Sequence, residues 1–277
     1  MLIFSVYTYQ FNPLSDDKEL DLFLDPKSER EAIMSNKNKT FKEVLLTKEF
    51  RYRNKIYNKN FIFDKDEVVV LKIANHRTLS VEREFKKEKE YTEPSVLVIF
   101  DNRDTVQRLL IQQDTKAFAD TSDLARILDK SLNTELFKKK LHVSIQHEYQ
   151  VQEFWNYINS NNSNIQMVRF EFKYPNLARA YESVKKILSD SNKNLNSNKT
   201  AIEYEANSGE HLIIDKNDEF ISDMVEDSSN SGNPICLKIN GFKKIVKTGN
   251  TEKTTQIDEL VISAEKITEL KDIISNL

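Results

Sequence analysis

The residues whose types and spacing best fit a catalytic role are Glu171 and Lys173, in the segment FEFK. Apolar and polar residues alternate over 165–174, which predicts a strand with both side chains on one face. Restriction-type nucleases use a Glu-x-Lys pair of this kind, with an upstream aspartate, to hold Mg²⁺ and position a water molecule. Because residues 150–170 contain no aspartate, a cross-strand ion pair is the favoured interpretation, and a Mg²⁺-dependent nuclease is the alternative.

Other common catalytic designs lack the residues they need. The first glycine is Gly209, so no glycine-rich phosphate loop or dinucleotide fingerprint can form before it. His142 and His147 are an odd number of residues apart on a predicted strand and point to opposite faces, so they cannot share a metal ion. The single cysteine, Cys236, allows no internal disulfide and indicates a reducing compartment. The sequence therefore predicts no catalytic residue, no metal ligand and no cofactor.

Basic residues recur in three clusters, although the net charge of the chain is −3. Arg51, Arg53 and Lys55 occupy every second position, so on a strand they would share one face at intervals of roughly 6.5–7 Å. That spacing can follow a phosphate backbone. The net charge excludes a uniformly basic nucleic-acid binder but allows a local basic face. A lysine-rich surface with no binding role is an equally good interpretation, because such surfaces are common. The other two clusters are Lys138, Lys139 and Lys140, and Lys243, Lys244 and Lys247.

The elements that must position these side chains indicate an α+β protein of two domains, with mixed, mostly antiparallel sheets and flanking helices. Residues 96–100 are apolar at both even and odd positions, which predicts an interior strand with two buried faces. Residues 106–111 are predicted to return as its neighbouring strand. The segment TSDLARILDKSL then predicts a helix with one apolar stripe. We place an N-terminal α+β domain at residues 1–135 and a C-terminal α+β domain at residues 136–277.

Three further segments carry structural predictions. Polar residues 25–40 are expected to form a loop with at most one helical turn, and the mixed-charge run at 82–93 is expected to form a solvated helix. The final helix, with Ser263 as its cap and an apolar stripe from Ile267 to Leu277, could pack against its own domain or against a second chain. The N-terminus has neither a charged signal region nor a long apolar run, which predicts a cytoplasmic protein that does not span a membrane.

The core segments resemble those of the RexA family of the phage lambda Rex exclusion system. VVVLKI, PSVLVIFDNRDTVQRLLIQQ and TSDLARIL follow one another in the order and spacing of that family's elements. The resemblance continues in IQMVRFEFKYPNLARAYESVKKIL and EYEANSGEHLIID, and covers residues 56–215. It implies a non-enzymatic, cytoplasmic DNA-binding protein of phage exclusion by abortive infection, which forms a homodimer and acts with a separate membrane effector. The resemblance assigns no individual binding residues.

The sequence thus supports three hypotheses of different classes. The first is a sequence-nonspecific DNA-binding sensor or effector of anti-phage defence, in which the three basic clusters contact the phosphate backbone. The second is the nuclease built on Glu171 and Lys173. The third is a protein-interaction module that uses the final helix or the acidic block at 203–227. Binding without cleavage separates the first hypothesis from the second.

Overall fold

The computed structural model describes residues 1–14, 26–173 and 199–277. The helices that apolar spacing predicts at 15–24 and 176–188 lie outside the described residues. The described part has six helices and fifteen strands, and the strands form several mostly antiparallel sheets. This confirms the α+β class. The helices are α1 (Pro26–Ser35), α2 (Lys37–Thr47), α3 (Thr121–Leu136), α4 (Val151–Ser160), α5 (Glu219–Asn230) and α6 (Ile267–Ser275). The strands are β1 (Leu2–Pro13), β2 (Phe50–Tyr52), β3 (Lys55–Tyr57), β4 (Lys59–Lys65), β5 (Val68–Ala74), β6 (Arg77–Arg83), β7 (Lys86–Thr92), β8 (Ser95–Asp101), β9 (Arg108–Gln112), β10 (Leu141–His147), β11 (Ile165–Lys173), β12 (Lys199–Glu205), β13 (Cys236–Ile239), β14 (Val246–Lys247) and β15 (Thr254–Ile257).

The described residues divide into two compact units. Unit 1 comprises Met1–Ile145 and Thr254–Leu277, and unit 2 comprises Gln146–Lys253. This division differs from the expected boundary near residue 135, which put the whole C-terminal segment in the second domain. The physical reason is that β15 pairs antiparallel with β1, with Ile257 opposite Leu2, and so returns the end of the chain to unit 1.

Unit 1 is built on a seven-stranded sheet in the order β10-β1-β9-β8-β5-β4, with β15 also paired to β1. The central strands β8 and β9 form the predicted antiparallel hairpin, in which Val98 lies opposite Ile111. Residues 96–100 are all buried, with alternate residues in two different apolar clusters. Continuous apolar character at both parities is therefore explained by a strand that is covered on both faces.

One face of this sheet is covered by α2 and α3. Tyr9 stacks on Phe41 with ring centroids 4.9 Å apart, and its hydroxyl donates a hydrogen bond of 2.9 Å to the carbonyl of Asp101. The helix predicted from TSDLARILDKSL is confirmed as α3. Its N-terminus is capped by Asp120, whose carboxylate accepts a hydrogen bond of 2.7 Å from the backbone N–H of Ser122.

The opposite face of the sheet is covered by α6. Its side chains Ile267, Leu270 and Ile274 are buried in the cluster that contains Ile99. Of the two arrangements that the sequence left open, the structure therefore has the apolar stripe packed within unit 1. The helix begins after Lys266 rather than after Ser263, whose hydroxyl instead accepts a hydrogen bond from the backbone N–H of Lys266.

Unit 2 has a four-stranded sheet in the order β12-β11-β13-β14, packed with α4 and α5. The alternation over residues 165–173 is confirmed by β11, in which Val168, Phe170 and Phe172 are buried. The single tryptophan, Trp155, lies on α4 and is 3% exposed in this core. The inward residues of the strand therefore carry a conventional packing role.

Two secondary-structure predictions are wrong. Residues 26–40 form all of α1 and the start of α2 rather than a loop with one helical turn. Residues 82–92 belong to the β6–β7 ribbon rather than to a helix, and Glu82 faces the opposite charge of Lys87 across its strands. A mixed-charge run satisfies its charges equally well along a helix or across a ribbon.

No helix in the described part of the chain has the length and apolar character needed to cross a membrane.

Candidate nucleic-acid interface

The first basic cluster does not lie along one strand. β2 ends at Tyr52 and β3 begins at Lys55, so the chain reverses between them, with Arg53 in the turn at a φ of 53°. The expectation of one basic strand face over Arg51, Arg53 and Lys55 is therefore wrong. All three side chains are exposed, and their role in binding stays a prediction.

The second basic cluster is paired with carboxylates. Its residues occupy a short 3₁₀ helix and the turn after it, close to acidic side chains of α1, α2 and α3. Hydrogen bonds from Lys48 and then from Lys138 lower the pKa of Glu135 to about 2. Much of the positive charge predicted here is therefore compensated within unit 1. The pairs are Lys138–Glu135 at 2.9 Å, Lys139–Glu43 at 3.8 Å and Lys140–Glu29 at 2.8 Å.

The third basic cluster lies in unit 2. Lys243 and Lys244 occupy an exposed turn, and Lys247 ends β14. Among the residues that the structure describes, no carboxylate lies within 4.0 Å of these three ammonium groups. This cluster therefore keeps the charge that the sequence predicts.

Lys59, four residues after the first basic cluster, has a structural role. Its ammonium group donates hydrogen bonds to the backbone carbonyls of Leu45 (2.9 Å), Leu46 (3.1 Å) and Lys48 (2.7 Å), at the C-terminal end of α2. It also lies 4.7 Å from the ring centroid of Phe50. Burial lowers the pKa of Lys59 to about 8. The side chain is therefore committed to the helix end and is not available to a phosphate.

The stability of unit 1 is expected to depend on pH through Lys59. Its folded-state pKa of about 8 lies below the ordinary value of 10.5, so folding disfavours the protonated form. The wild-type protein should therefore gain stability relative to Lys59→Met as the pH rises from about 7.5 towards 10. Urea unfolding of both proteins at several pH values measures this difference. A difference that stays constant or shrinks as the pH rises would contradict it.

A pocket of about 180 Å³ in unit 1 collects basic and aromatic side chains from elements that are far apart in the chain. Tyr52 and Lys55 face each other across the β2–β3 pair. Arg77 begins β6, and its guanidinium donates hydrogen bonds of 3.2 and 3.0 Å to the carbonyl of Ala117. Arg126 extends from the exposed face of α3. We call this set the aromatic–basic pocket; its lining is Tyr52, Lys55, Tyr57, Asn75, Arg77, Phe118, Ala119, Asp123, Arg126 and Ile127.

Positive charge predominates in the aromatic–basic pocket. Lys55, Arg77 and Arg126 face a single carboxylate, that of Asp123, which lies 3.4 Å from Arg126. That ion pair is exposed and therefore weak. Burial, with a smaller contribution from Asp123, raises the pKa of Tyr57, so its phenol stays a neutral hydrogen-bond donor. Cations beside aromatic rings suit phosphates and stacked bases.

Sequence patterns missed two cations of this pocket. Arg126 lies within the predicted helix, on its wet side, where it looks like an ordinary surface residue. Arg77 follows β5 after a short turn and carries no local signal. Only the tertiary structure brings them into one pocket with Lys55, and periodicity in a sequence does not report which elements meet.

A larger cavity of about 550 Å³ lies between α2 and the turn after β8. Its lining combines the cations Lys39, Lys42 and Arg103 with the carboxylates Glu43, Glu67 and Asp104, and Lys42 lies 2.9 Å from Asp64. Asp64 and Glu67 also raise the pKa of Lys42 against the effect of burial. Charges in this cavity are balanced within the fold, so it presents less net positive charge to an anion than the aromatic–basic pocket does.

The carboxylate of Glu171 is held in ion pairs. It lies 2.7 Å from the ammonium of Lys199 on the neighbouring strand and 3.3 Å from Arg169. The hydrogen bond from Lys199 lowers the pKa of Glu171. The side chain of Lys173 lies outside the described residues, and among the residues described no group of three His, Cys, Asp or Glu side chains could hold a metal ion. The contacts of Glu171 match the cross-strand ion pair favoured from the sequence.

The chain matches no protein-family model and no curated protein. The resemblance to the RexA family therefore stays a prediction.

Proposed function

We propose that this protein binds nucleic acid, and DNA in particular, without sequence specificity, and that the aromatic–basic pocket of unit 1 contacts the phosphate backbone. The observation that carries the proposal is the convergence of Lys55, Arg77 and Arg126 on one pocket beside Tyr52 and Tyr57. Arg53 lies 5.4 Å from the ring centroid of Tyr52 and adds a fourth cation at the rim.

Phosphate contacts explain why we propose nonspecific binding. Lysine and arginine side chains that neutralise phosphates supply affinity and orientation but carry no direct information about sequence. Lys243, Lys244 and Lys247 of unit 2 are a second candidate contact, since no described carboxylate lies within 4.0 Å of their ammonium groups. Lys138, Lys139 and Lys140 are the weakest candidates, because each is in an ion pair.

The biological setting that we propose rests on the resemblance to the RexA family alone. It is a non-enzymatic, cytoplasmic sensor or effector of anti-phage defence, which acts by abortive infection. The same resemblance supports a homodimer and a separate membrane effector as its partner. The nuclease alternative has weaker support, because the ion pairs of Glu171 give its carboxylate a structural role.

The proposal is tested by binding to duplex DNA, single-stranded DNA and RNA across a salt series, with and without Mg²⁺. Four phosphate contacts predict that the logarithm of the affinity falls with the logarithm of the salt concentration with a slope of about −3.6. The double variant Lys55→Gln/Arg126→Gln should reduce the slope by about 2, because two contacts are lost, and should weaken binding roughly tenfold or more. The nucleic acid should stay intact.

A matched control is Lys138→Gln/Lys139→Gln, which removes the same charge from the ion-paired cluster. It should change the salt slope by less than about 1. Equal effects of the two double variants would contradict the assignment to the pocket. Absence of binding at low salt would overturn the proposed function, and Mg²⁺-dependent cleavage that Glu171→Gln abolishes would replace it by the nuclease.

A further inference from the structure

The β6–β7 ribbon is the most exposed element of unit 1. It forms a two-stranded sheet of its own, and none of its residues belongs to a buried apolar cluster. Only Arg77, Val81 and Thr92 are partly buried, and every other residue from 77 to 92 is exposed. Each strand has seven residues and spans about 23 Å at the usual rise per residue. Packing against the core of unit 1 therefore does not account for the side chains that the ribbon carries.

The tip of the ribbon places a large apolar side chain in water. Glu84 and Phe85 form the two-residue turn with φ values of 50° and 62°, and Phe85 is 98% exposed. Turns of this type favour asparagine and glycine, because a side chain in the left-handed region costs about 1 kcal/mol. Phenylalanine at this point stabilises neither the turn nor the core, which indicates a role outside the folded chain.

Cations occur on both faces of the ribbon. Residues opposite each other across an antiparallel pair share a face. One face carries Lys87 and Lys89 with Glu82, and the other carries Arg77, Arg83 and Lys86 with Glu88 and Glu90. Tyr91 is 81% exposed.

Positive charge also flanks the tip. Arg83 and Lys86 are the last pair before the turn. Arg83 lies 3.6 Å from Glu90, in an exposed pair of little strength. No carboxylate of the described residues lies within 4.0 Å of the ammonium groups of Lys86, Lys87 or Lys89.

We propose that the β6–β7 ribbon is an arm that enters the minor groove of duplex DNA, with Phe85 wedged between two base pairs so that the duplex kinks. Lys86, Lys87 and Lys89 contact phosphates on the way in. Two-stranded ribbons fit DNA grooves, and apolar wedges in the minor groove unstack base steps and bend the duplex by 20–90°. This inference rests on the proposed DNA binding, and it names duplex DNA as the ligand. Arg77 links the two, because it both begins β6 and lines the aromatic–basic pocket.

The test measures bending separately from affinity. A DNA fragment shorter than the persistence length of about 150 bp circularises rarely under ligase, and a kink raises the yield of circles. The full-length protein at saturation should raise this yield about tenfold or more. Phe85→Ser should bring the yield close to that of free DNA, while the affinity changes by less than about threefold because the phosphate contacts stay in place.

Two further variants separate loss of the Phe85 wedge from misfolding of the ribbon. Tyr91→Ser removes an exposed aromatic side chain from the ribbon but not from its tip, and it should bend DNA as the wild-type protein does. Glu84→Asn/Phe85→Gly gives the turn its preferred residues; it should keep or raise the melting temperature and still lose bending. Loss of bending in this stabilised ribbon assigns the effect to the wedge rather than to misfolding.

Failure of the inference and failure of the proposed function give different results. Wild-type protein that binds DNA without raising the yield of circles would overturn the arm and leave the proposed function standing. Equal bending by Phe85→Ser would do the same. No binding to any nucleic acid would overturn both. Binding to phosphatidylglycerol vesicles that is lost in Phe85→Ser, together with unbent DNA, would assign the tip to a lipid surface instead.

Discussion

Replacing Arg103 with alanine is expected to lower the free energy of unfolding of unit 1 by about 3–5 kcal/mol, because it leaves the buried charge of Asp101 without its partner. The carboxylate of Asp101 is fully buried. Arg103 donates to it from Nε at 2.9 Å and from Nη2 at 2.5 Å. The same guanidinium also holds α6, through hydrogen bonds to the carbonyl of Lys271 at 3.0 Å and the hydroxyl of Ser275 at 2.9 Å.

Urea unfolding followed by circular dichroism measures this loss. Arg51→Ala is the matched control, because Arg51 is also paired with a carboxylate, that of Glu49 at 3.4 Å, but both side chains are exposed. It should cost no more than about 1 kcal/mol. Asp101→Leu/Arg103→Met should recover much of the loss, since both buried polar partners are then removed together. A loss below about 1 kcal/mol for Arg103→Ala would contradict the assigned role.

Replacing Phe170 with alanine is expected to destabilise unit 2 by about 3–5 kcal/mol, because it removes a fully buried ring from a small core. Phe170 lies at the centre of β11, with its ring centroid 6.2 Å from that of Phe154. The cavity left behind adds to the loss of buried apolar surface, since neighbouring side chains collapse only partly into it.

Trp155 provides the measurement for Phe170→Ala. It is the single tryptophan and lies in the same core, so its fluorescence reports on unit 2. The midpoint of the urea transition should fall for Phe170→Ala. Phe242→Ala is the matched control, because Phe242 belongs to unit 2 but is 54% exposed; it should shift stability by no more than about 0.5 kcal/mol. Similar transitions for the two variants would show that the ring of Phe170 is not part of the core.

The α+β class and the central elements could be predicted from the sequence for a local physical reason. Residues 96–100 are apolar at both parities, and only a strand covered on both faces buries them all. The apolar stripe of α3 and its cap at Asp120 lie within a few turns of one another, as does the alternation of β11. In each case, the residues that determine the element are neighbours in the chain.

The candidate interface could not be predicted in this way. The regular spacing of Arg51, Arg53 and Lys55 suggested one strand face, whereas the chain turns at Arg53. The three consecutive lysines at residues 138–140 gave no indication of the carboxylates that pair with their ammonium groups. Arg126 has the pattern of a surface residue of a helix, and only the tertiary structure places it in one pocket with Lys55 and Arg77.

The local pattern of residues was enough to predict the apolar segments and their period, and so the strands β8, β9 and β11 and the helix α3. Which elements are partners follows from the fold instead: β15 pairs with β1, α6 packs on the sheet of unit 1, and residues 77–92 form a ribbon. Periodicity records which side of an element is buried, but not what buries it. A run of alternating charges can be satisfied along a helix or across two strands, and the choice between them depends on the rest of the fold.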